Sequence, residues 1–247
     1  MKIEMLGIGS AYSCQWTNAA LMIRTSQSSW LIDCGPTVPQ ALWRQGLTID
    51  QLDVIYFTHI HADHCLGLPA LLNYLNSHGR RKPLTIMAQP TQQELLQAML
   101  PIAYIGESLG FVIHWQDIAE SGQQGELVYA SALSDHSISN RSLWLEIDGF
   151  KLFYSGDGRP TAATIALMQQ SDLIIHECGM LAPTPLPNGH ADLALLSDIA
   201  KTTASTPWRL YHCPDERRLA LNKALEGRSN WALAAQAVLV ENGQIND

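Results

Sequence analysis

The chain has 247 residues and an apolar share of 47%, which is enough for a sizeable buried core and too apolar for a disordered segment. Fifteen Lys and Arg against 23 Asp and Glu give a formal charge of −8, the wrong sign for gripping a whole duplex or tRNA by its phosphates. Five cysteines without a C-x-x-C spacing exclude a four-cysteine zinc module, and no run of roughly 18 apolar residues is available to span a membrane, so a cytoplasmic location is expected.

From the N-terminus, KIEMLGIG predicts a first strand and turn rather than a secretory leader. AALMIRT and SWLIDCG predict a hairpin around Ser26-Gln27-Ser28, and 38–45 predicts a helix. The apolar strand LDVIYFT then runs into FTHIHADHCLGL, after which CLGLPALLNYLN has the helical period. LTIMA is expected as a strand, and TQQELLQAMLPIA as a helix capped by Thr91. In the second half FVIHW, ELVYASAL, SLWLEID and KLFYSGD predict strands, with Asp148-Gly149 as a two-residue hairpin turn. TAATIALMQQ is expected as a helix, DLIIHEC as a strand, ADLALLSDIAKTTA as a helix, WRLYHC as a strand and DERRLALNKALE as a helix. Strands in both halves punctuated by helices predict an α/β (α+β) chain of sheets with helices outside, and the period leaves one sheet or two open. The basic clusters Arg80-Arg81-Lys82 and Arg217-Arg218 read as solvated surface, and Cys65, Cys178 and Cys213 as small buried hydrophobes.

Four ligand-type side chains crowd into six positions after LDVIYF: His59, His61, Asp63 and His64. Imidazole and carboxylate suit zinc and its first-row neighbours. Alternate residues of an extended segment point the same way, so His59 and His61 can converge on one ion while Asp63 and His64, near a helix start, face a second. Four ligands are too many for one catalytic ion with an open position, and the spacing itself points to two metals. The structural alternative is a histidine-rich surface loop or a single structural ion.

T-H-x-H-x-D-H, here Thr58 to His64, resembles the signature of the metallo-β-lactamase fold hydrolases. The resemblance implies a four-layer αββα sandwich, one domain over residues 1–247, with metals at one edge. It also implies ligands downstream, which this chain supplies in order: His136 in LSDHSIS, Asp157 in FYSGDGRP and His212 in WRLYHCP. By that carry-over His59, His61 and His136 hold one divalent ion, Asp63, His64 and His212 hold another, and Asp157 bridges. Zinc is the default and manganese the alternative.

The finer resemblance is to the ribonuclease Z-like phosphodiesterase branch. LGIGSAYSCQWTNAALMI is similar to that branch's opening, and SDLIIHECG and NGHADLALLSDIA to its His-Glu-Ala-Thr and His-Ser-Thr segments. Cys178 and Gly179 replace Ala and Thr, and Ala191 and Asp192 replace Ser and Thr. For a phosphodiester, a metal-bridging hydroxide supplies the nucleophile and the ions draw charge from the phosphoryl oxygens. Asp63, His190 and Glu177 are the candidate catalytic residues: His190 as general acid, with Glu177 orienting it and raising its pKa. Read structurally, Glu177 is a buried salt-bridge or capping residue and His190 a helix-start residue.

The chain departs from the branch in one respect. Twenty residues separate His136 from Asp157 and fill as a plain hairpin, and no Gly/Pro- and Lys-rich arm of the tRNA 3′-processing enzymes is visible anywhere in the sequence. With the acidic charge, this favours a small or cyclic phosphodiester, such as a cyclic nucleotide, over tRNA or other nucleic acid. Arg159 and Ser137 are candidate substrate contacts, with Ser139, Tyr12, Trp16 and Asn18 as further pocket candidates. A lactonase or thioesterase on the same fold, a tRNA 3′-processing endoribonuclease and a non-catalytic metal-binding protein are the rival readings. A homodimer is expected by resemblance alone.

Overall fold

The structure, a computed structural model, describes residues 1–103, 109–183, 189–203 and 205–246. Strand β1 (Lys2–Gly7) leads to the hairpin β2 (Ala20–Arg24) and β3 (Ser29–Ile32), then helix α1 (Val38–Arg44) and strand β4 (Val54–Tyr56). The four-residue helix α2 (Ala62–Cys65) and helix α3 (Leu68–Ser77) follow, then β5 (Leu84–Ala88), α4 (Pro90–Ala98) and β6 (Ile113–Asp117). The second half runs β7 (Ser121–Gln124), β8 (Leu127–Leu133), β9 (Arg141–Ile147), β10 (Phe150–Tyr154), α5 (Ala162–Met168) and β11 (Leu173–Glu177). It ends with α6 (Leu193–Ala200), β12 (Trp208–Tyr211), α7 (Asp215–Leu225), β13 (Trp231–Leu233), β14 (Val238–Glu241) and β15 (Gln244–Ile245). No helix among the described residues is long and apolar enough to cross a membrane.

The elements group into two compact units, and neither is a contiguous piece of chain. The first comprises Met1–Gly7, Trp16–Ile118 and Gln236–Asp247; the second comprises Ile8–Gln15 and Ala119–Ala235.

In the first unit an eight-stranded sheet has the order β15-β14-β1-β2-β3-β4-β5-β6. It is antiparallel as far as β3 and parallel from β3 to β6. β3 and β4 are buried along their whole length, which is why SWLI and VIY read as continuous apolar runs rather than alternations. Leu68, Leu71, Leu72 and Leu75 of α3 recur at helical spacing and pack with Leu31, Ile55 and Ile86 in one core.

In the second unit a seven-stranded sheet has the order β13-β12-β11-β10-β9-β8-β7, parallel from β10 to β13 and antiparallel from β7 to β10. Leu193, Leu196 and Ile199 of α6, with Leu221 and Leu225 of α7, pack on Phe153, Ile174, Trp208 and Leu210. In both units chemistry-bearing loops leave the carboxyl ends of parallel strands: β4 feeds His59, β10 feeds Asp157, β11 ends at Glu177 and β12 feeds His212. Backbone amides and carbonyls there are released from the ladder, and open α/β sheets place their ligands at those ends for that reason.

Most predicted elements are found within a residue or two. Thr91 does not cap α4: the helix begins at Pro90, after Gln89, because proline suits the first helical position, where no N–H is needed. Of CLGLPALLNYLN, the helix proper begins only at Leu68, and Cys65 closes the preceding α2. The break falls at Leu66-Gly67, where a Cβ on Gly67 would overlap the Gly35 carbonyl oxygen. Helix α6 stops at Ala200, short of the predicted end at Ala204, which lies outside the described residues.

Candidate metal centre

The first unit carries the H-x-H-x-D-H cluster. His61 ends the extended run after β4 and opens α2, so Asp63 and His64 sit on the first helical turn. His59 Nε2 and His61 Nδ1 lie 3.1 Å apart, as two residues of alternate extended positions should when they aim at one point. His64 Nδ1 is 2.8 Å from Asp33 Oδ2, which leaves its Nε2 edge facing Asp63 Oδ2 at 3.3 Å. Two imidazoles with nitrogens in near contact, and a third held by a carboxylate, form a donor set that fits divalent ions.

Asp33 was not singled out in the sequence, where it reads as the tail of a strand. It is fully buried, in the left-handed region at φ 62°, and accepts from Thr58 N–H and Oγ1, both at 2.8 Å. Burial pushes its carboxyl pKa up, against the pull of His64. The signal for it was a lone acid at the end of an apolar strand, SWLID, where burial is expected and a carboxylate therefore needs a purpose. Cys34 N–H donates to the His64 carbonyl at 2.7 Å and Gly67 N–H to the Cys34 carbonyl at 2.8 Å, so the loop after β3 is stapled to the ligand loop.

The second unit gathers His136, Asp157, Glu177, His190 and His212. Asp157 Oδ2 faces two imidazoles, at 3.6 Å from His212 Nε2 and 4.0 Å from His136 Nε2. Its backbone is fixed by Asn140 Oδ1, which accepts from Asp157 N–H at 3.0 Å, and by Ser134 Oγ, which donates to the Asp157 carbonyl at 2.6 Å. His136 commits Nδ1 to the Gly189 carbonyl at 2.8 Å, which orients Nε2 toward Asp157. His212 holds a left-handed backbone, φ 55°, uncommon outside glycine, and its N–H donates to the Ile8 carbonyl at 2.9 Å.

Glu177 is fully buried at the end of β11. Its Oε1 accepts from Gly158 N–H at 2.9 Å and Ala191 N–H at 3.1 Å and lies 3.0 Å from His190 Nδ1. The first two bonds hold the carboxylate; the third fixes the His190 tautomer, with Nδ1–H toward Glu177. The His190 ring is stacked 5.6 Å from that of His212, at 20° between planes. Glu177 thus accepts from two backbone amides and lies against the His190 imidazole.

A cavity of about 280 Å³ in the second unit is lined by Ser10, Tyr12, Met180, His190, His212 and Arg217, among others. Tyr12 is 94% exposed there. Of the other pocket candidates, Asn18 is buried and engaged with Thr37, its Oδ1 accepting from Oγ1 at 2.6 Å, while Ser137 and Ser139 are exposed beside His136. Asn188, the first residue of NGHADLALLSDIA, lies outside the described residues. Cys65, Cys178 and Cys213 are buried as expected, and burial pushes the Cys65 and Cys213 thiols up to about 11 and about 12.

Known proteins are similar to this chain in sequence and in architecture. The sequence pattern of the family described as anti-Pycsar protein Apyc1 matches residues 1–228. The chain is 26% identical over 219 residues to the anti-Pycsar protein Apyc1 of Paenibacillus harenae, covering 86% of this chain and 90% of that one. It is 22% identical over 254 residues to the ribonuclease Z of Methanothermobacter thermautotrophicus, covering 82% and 83%. Among solved structures, the metallo-β-lactamase fold protein YhfI of Bacillus subtilis superposes with a TM-score of 0.82 at 17% identity, covering 96% of this chain and 97% of that one.

Proposed function

Since the chain belongs to the anti-Pycsar Apyc1 family and is a metal-dependent hydrolase of phosphodiesterase type on the metallo-β-lactamase fold, we propose that it uses two metal ions to cleave a small, cyclic phosphodiester. The observation that carries this reading is Asp157, whose one carboxylate oxygen faces both His136 and His212 beside the Glu177–His190 pair. A carboxylate shared between two imidazoles has the form of a bridging ligand.

In the proposal His59, His61 and His136 hold one ion, Asp63, His64 and His212 the other, and Asp157 both. When bound, the ions lower the pKa of water and draw charge from the phosphoryl oxygens. Asp63, also named as a catalytic candidate, acts here as a ligand. His190 protonates the leaving oxygen through the ring edge opposite Nδ1, and buried Glu177 stabilises the imidazolium before transfer. The cavity beside His190 and His212 receives the organic part of the leaving group, with the Tyr12 ring as an exposed flat wall. The charge of −8 and the missing basic arm support a small substrate over tRNA. A lactonase or thioesterase has no need of a poised general acid, so the Glu177–His190 pair weighs against those readings.

The test is a panel at equal concentration: 3′,5′-cyclic nucleotides, a linear dinucleotide, a precursor tRNA, a lactone and a thioester, assayed with zinc- and manganese-loaded protein. Cyclic nucleotides are expected to give the highest kcat/KM. Preference for the precursor tRNA would move the chain to RNA processing, and turnover of the lactone or thioester alone would overturn the phosphodiester reading.

A further inference from the structure

Asp192 stands where the resembling ribonuclease Z segment has threonine. Both side chains can cap a helix, and Asp192 does so: its Oδ1 accepts from Leu195 N–H at 2.9 Å at the start of α6. Capping does not need the second oxygen or the charge. Asp192 is fully buried, and its Oδ2 has no hydrogen-bond partner among the described residues. The cation beside that oxygen is Arg159, with Nη1 at 3.8 Å and a side chain 34% exposed.

Arg159 is pinned at its backbone and open at its head. Its N–H and carbonyl exchange hydrogen bonds with Asp135, both at 2.9 Å, one residue from His136. Gly158, at φ 112°, gives it no slack on the other side, since a Cβ there would overlap Ser134 Oγ. Among the described residues the guanidinium has Asp192 as an ion-pair neighbour and no hydrogen-bond acceptor. At 3.8 Å the pair is longer than a charge-assisted hydrogen bond. Here the carboxylate holds the guanidinium electrostatically and leaves its donors for another acceptor.

We propose that Arg159 binds the non-bridging oxygens of the substrate's phosphodiester, and that Asp192 is a positioning residue that acts through Arg159. The inference rests on the phosphodiester reading above. A planar fork of donors two residues from Asp157 matches two phosphoryl oxygens. Asp192 sits two residues from His190, on a segment tied down by Gly179 N–H to the Ala191 carbonyl and Leu193 N–H to the Met180 carbonyl. It therefore fixes the guanidinium in the same frame as the general acid.

The kinetic test uses bis(p-nitrophenyl) phosphate with Arg159→Met, Asp192→Asn, Asp192→Thr and the double variant Arg159→Met/Asp192→Asn. Arg159→Met should raise KM about 10- to 100-fold, the range for charge-assisted hydrogen bonds. Asp192→Asn and Asp192→Thr keep a capping oxygen, so the melting temperature should hold while KM rises about three- to five-fold, as for a partly exposed ion pair. Asp192→Asn should change nothing further in the Arg159→Met background. An unchanged KM in Asp192→Asn, or equal effects in both backgrounds, would overturn the positioning role.

A second readout does not need turnover. Diethyl phosphate carries the same monoanionic diester and resists hydrolysis. Its addition should shift the Arg159 Nε–H resonance in a ¹⁵N–¹H spectrum of the metal-loaded protein, and the shift should weaken in Asp192→Asn. A shift without any hydrolysis would sink the phosphodiesterase reading and leave the anion site standing, whereas hydrolysis without a shift would do the reverse.

Discussion

Four imidazoles of the two histidine clusters commit Nδ1 to a nearby acceptor or hydroxyl. His59 pairs with Thr58, His64 with Asp33, His136 with the Gly189 carbonyl and His190 with Glu177. This sets which nitrogen is offered outward, and such partners commonly matter nearly as much as the ligands themselves. Asp33→Ala should therefore lower zinc affinity about 10- to 100-fold, read by competition with a chromophoric chelator, although Asp33 is not assigned as a ligand. Wild-type affinity in that variant would show that His64 needs no partner. Glu177→Gln and His190→Asn should instead lower kcat by about 10²- to 10⁴-fold with bound metal unchanged, the range for a positioned general acid. Loss of metal from either variant would reassign the pair as ligands. The candidate ligands of the first cluster were legible because four of them, His59, His61, Asp63 and His64, fall within six residues. Asp33 and Asn140 were not, because their partners His64 and Asp157 lie 31 and 17 residues away and only folding pairs them.

At the scale of elements, glycines separate turns that need only a conformation from loops that need space. Gly149 closes the predicted Asp148-Gly149 hairpin turn at φ 82°, with nothing near its Cβ position. Gly149→Ala should thus cost only the left-handed backbone penalty, about 1 kcal/mol by denaturant unfolding, with metal affinity intact. Gly35 is different, since a Cβ there would overlap the Asp63 carbonyl oxygen on the ligand loop. Gly35→Ala should destabilise by about 3 kcal/mol or more and weaken zinc binding. Equal effects of the two substitutions on metal affinity would refute this distinction. Strands with long apolar runs were readable from sequence, whereas β7, β13, β14 and β15 were missed. SGQQ of β7 has no apolar alternation, and β13 is three partly buried residues. The β14–β15 hairpin did carry a usable signal, the Asn242-Gly243 turn, whose residues take φ 53° and 81°.

For the whole molecule, composition excluded more than it identified. The acidic charge set only an expectation of a small substrate, and the two-sheet architecture, with each unit assembled from separated stretches of chain, was not recoverable from periodicity. It was implied by the family resemblance that the T-H-x-H-x-D-H motif, Thr58 to His64, carries. The most direct test of the central claim is turnover of bis(p-nitrophenyl) phosphate by chelator-stripped protein as zinc is added in fractions of an equivalent, with Asp157→Ala alongside. Turnover should climb to a plateau at two ions per chain and be absent from the variant. A plateau at one ion, or full activity in Asp157→Ala, would contradict a two-ion site built around that carboxylate.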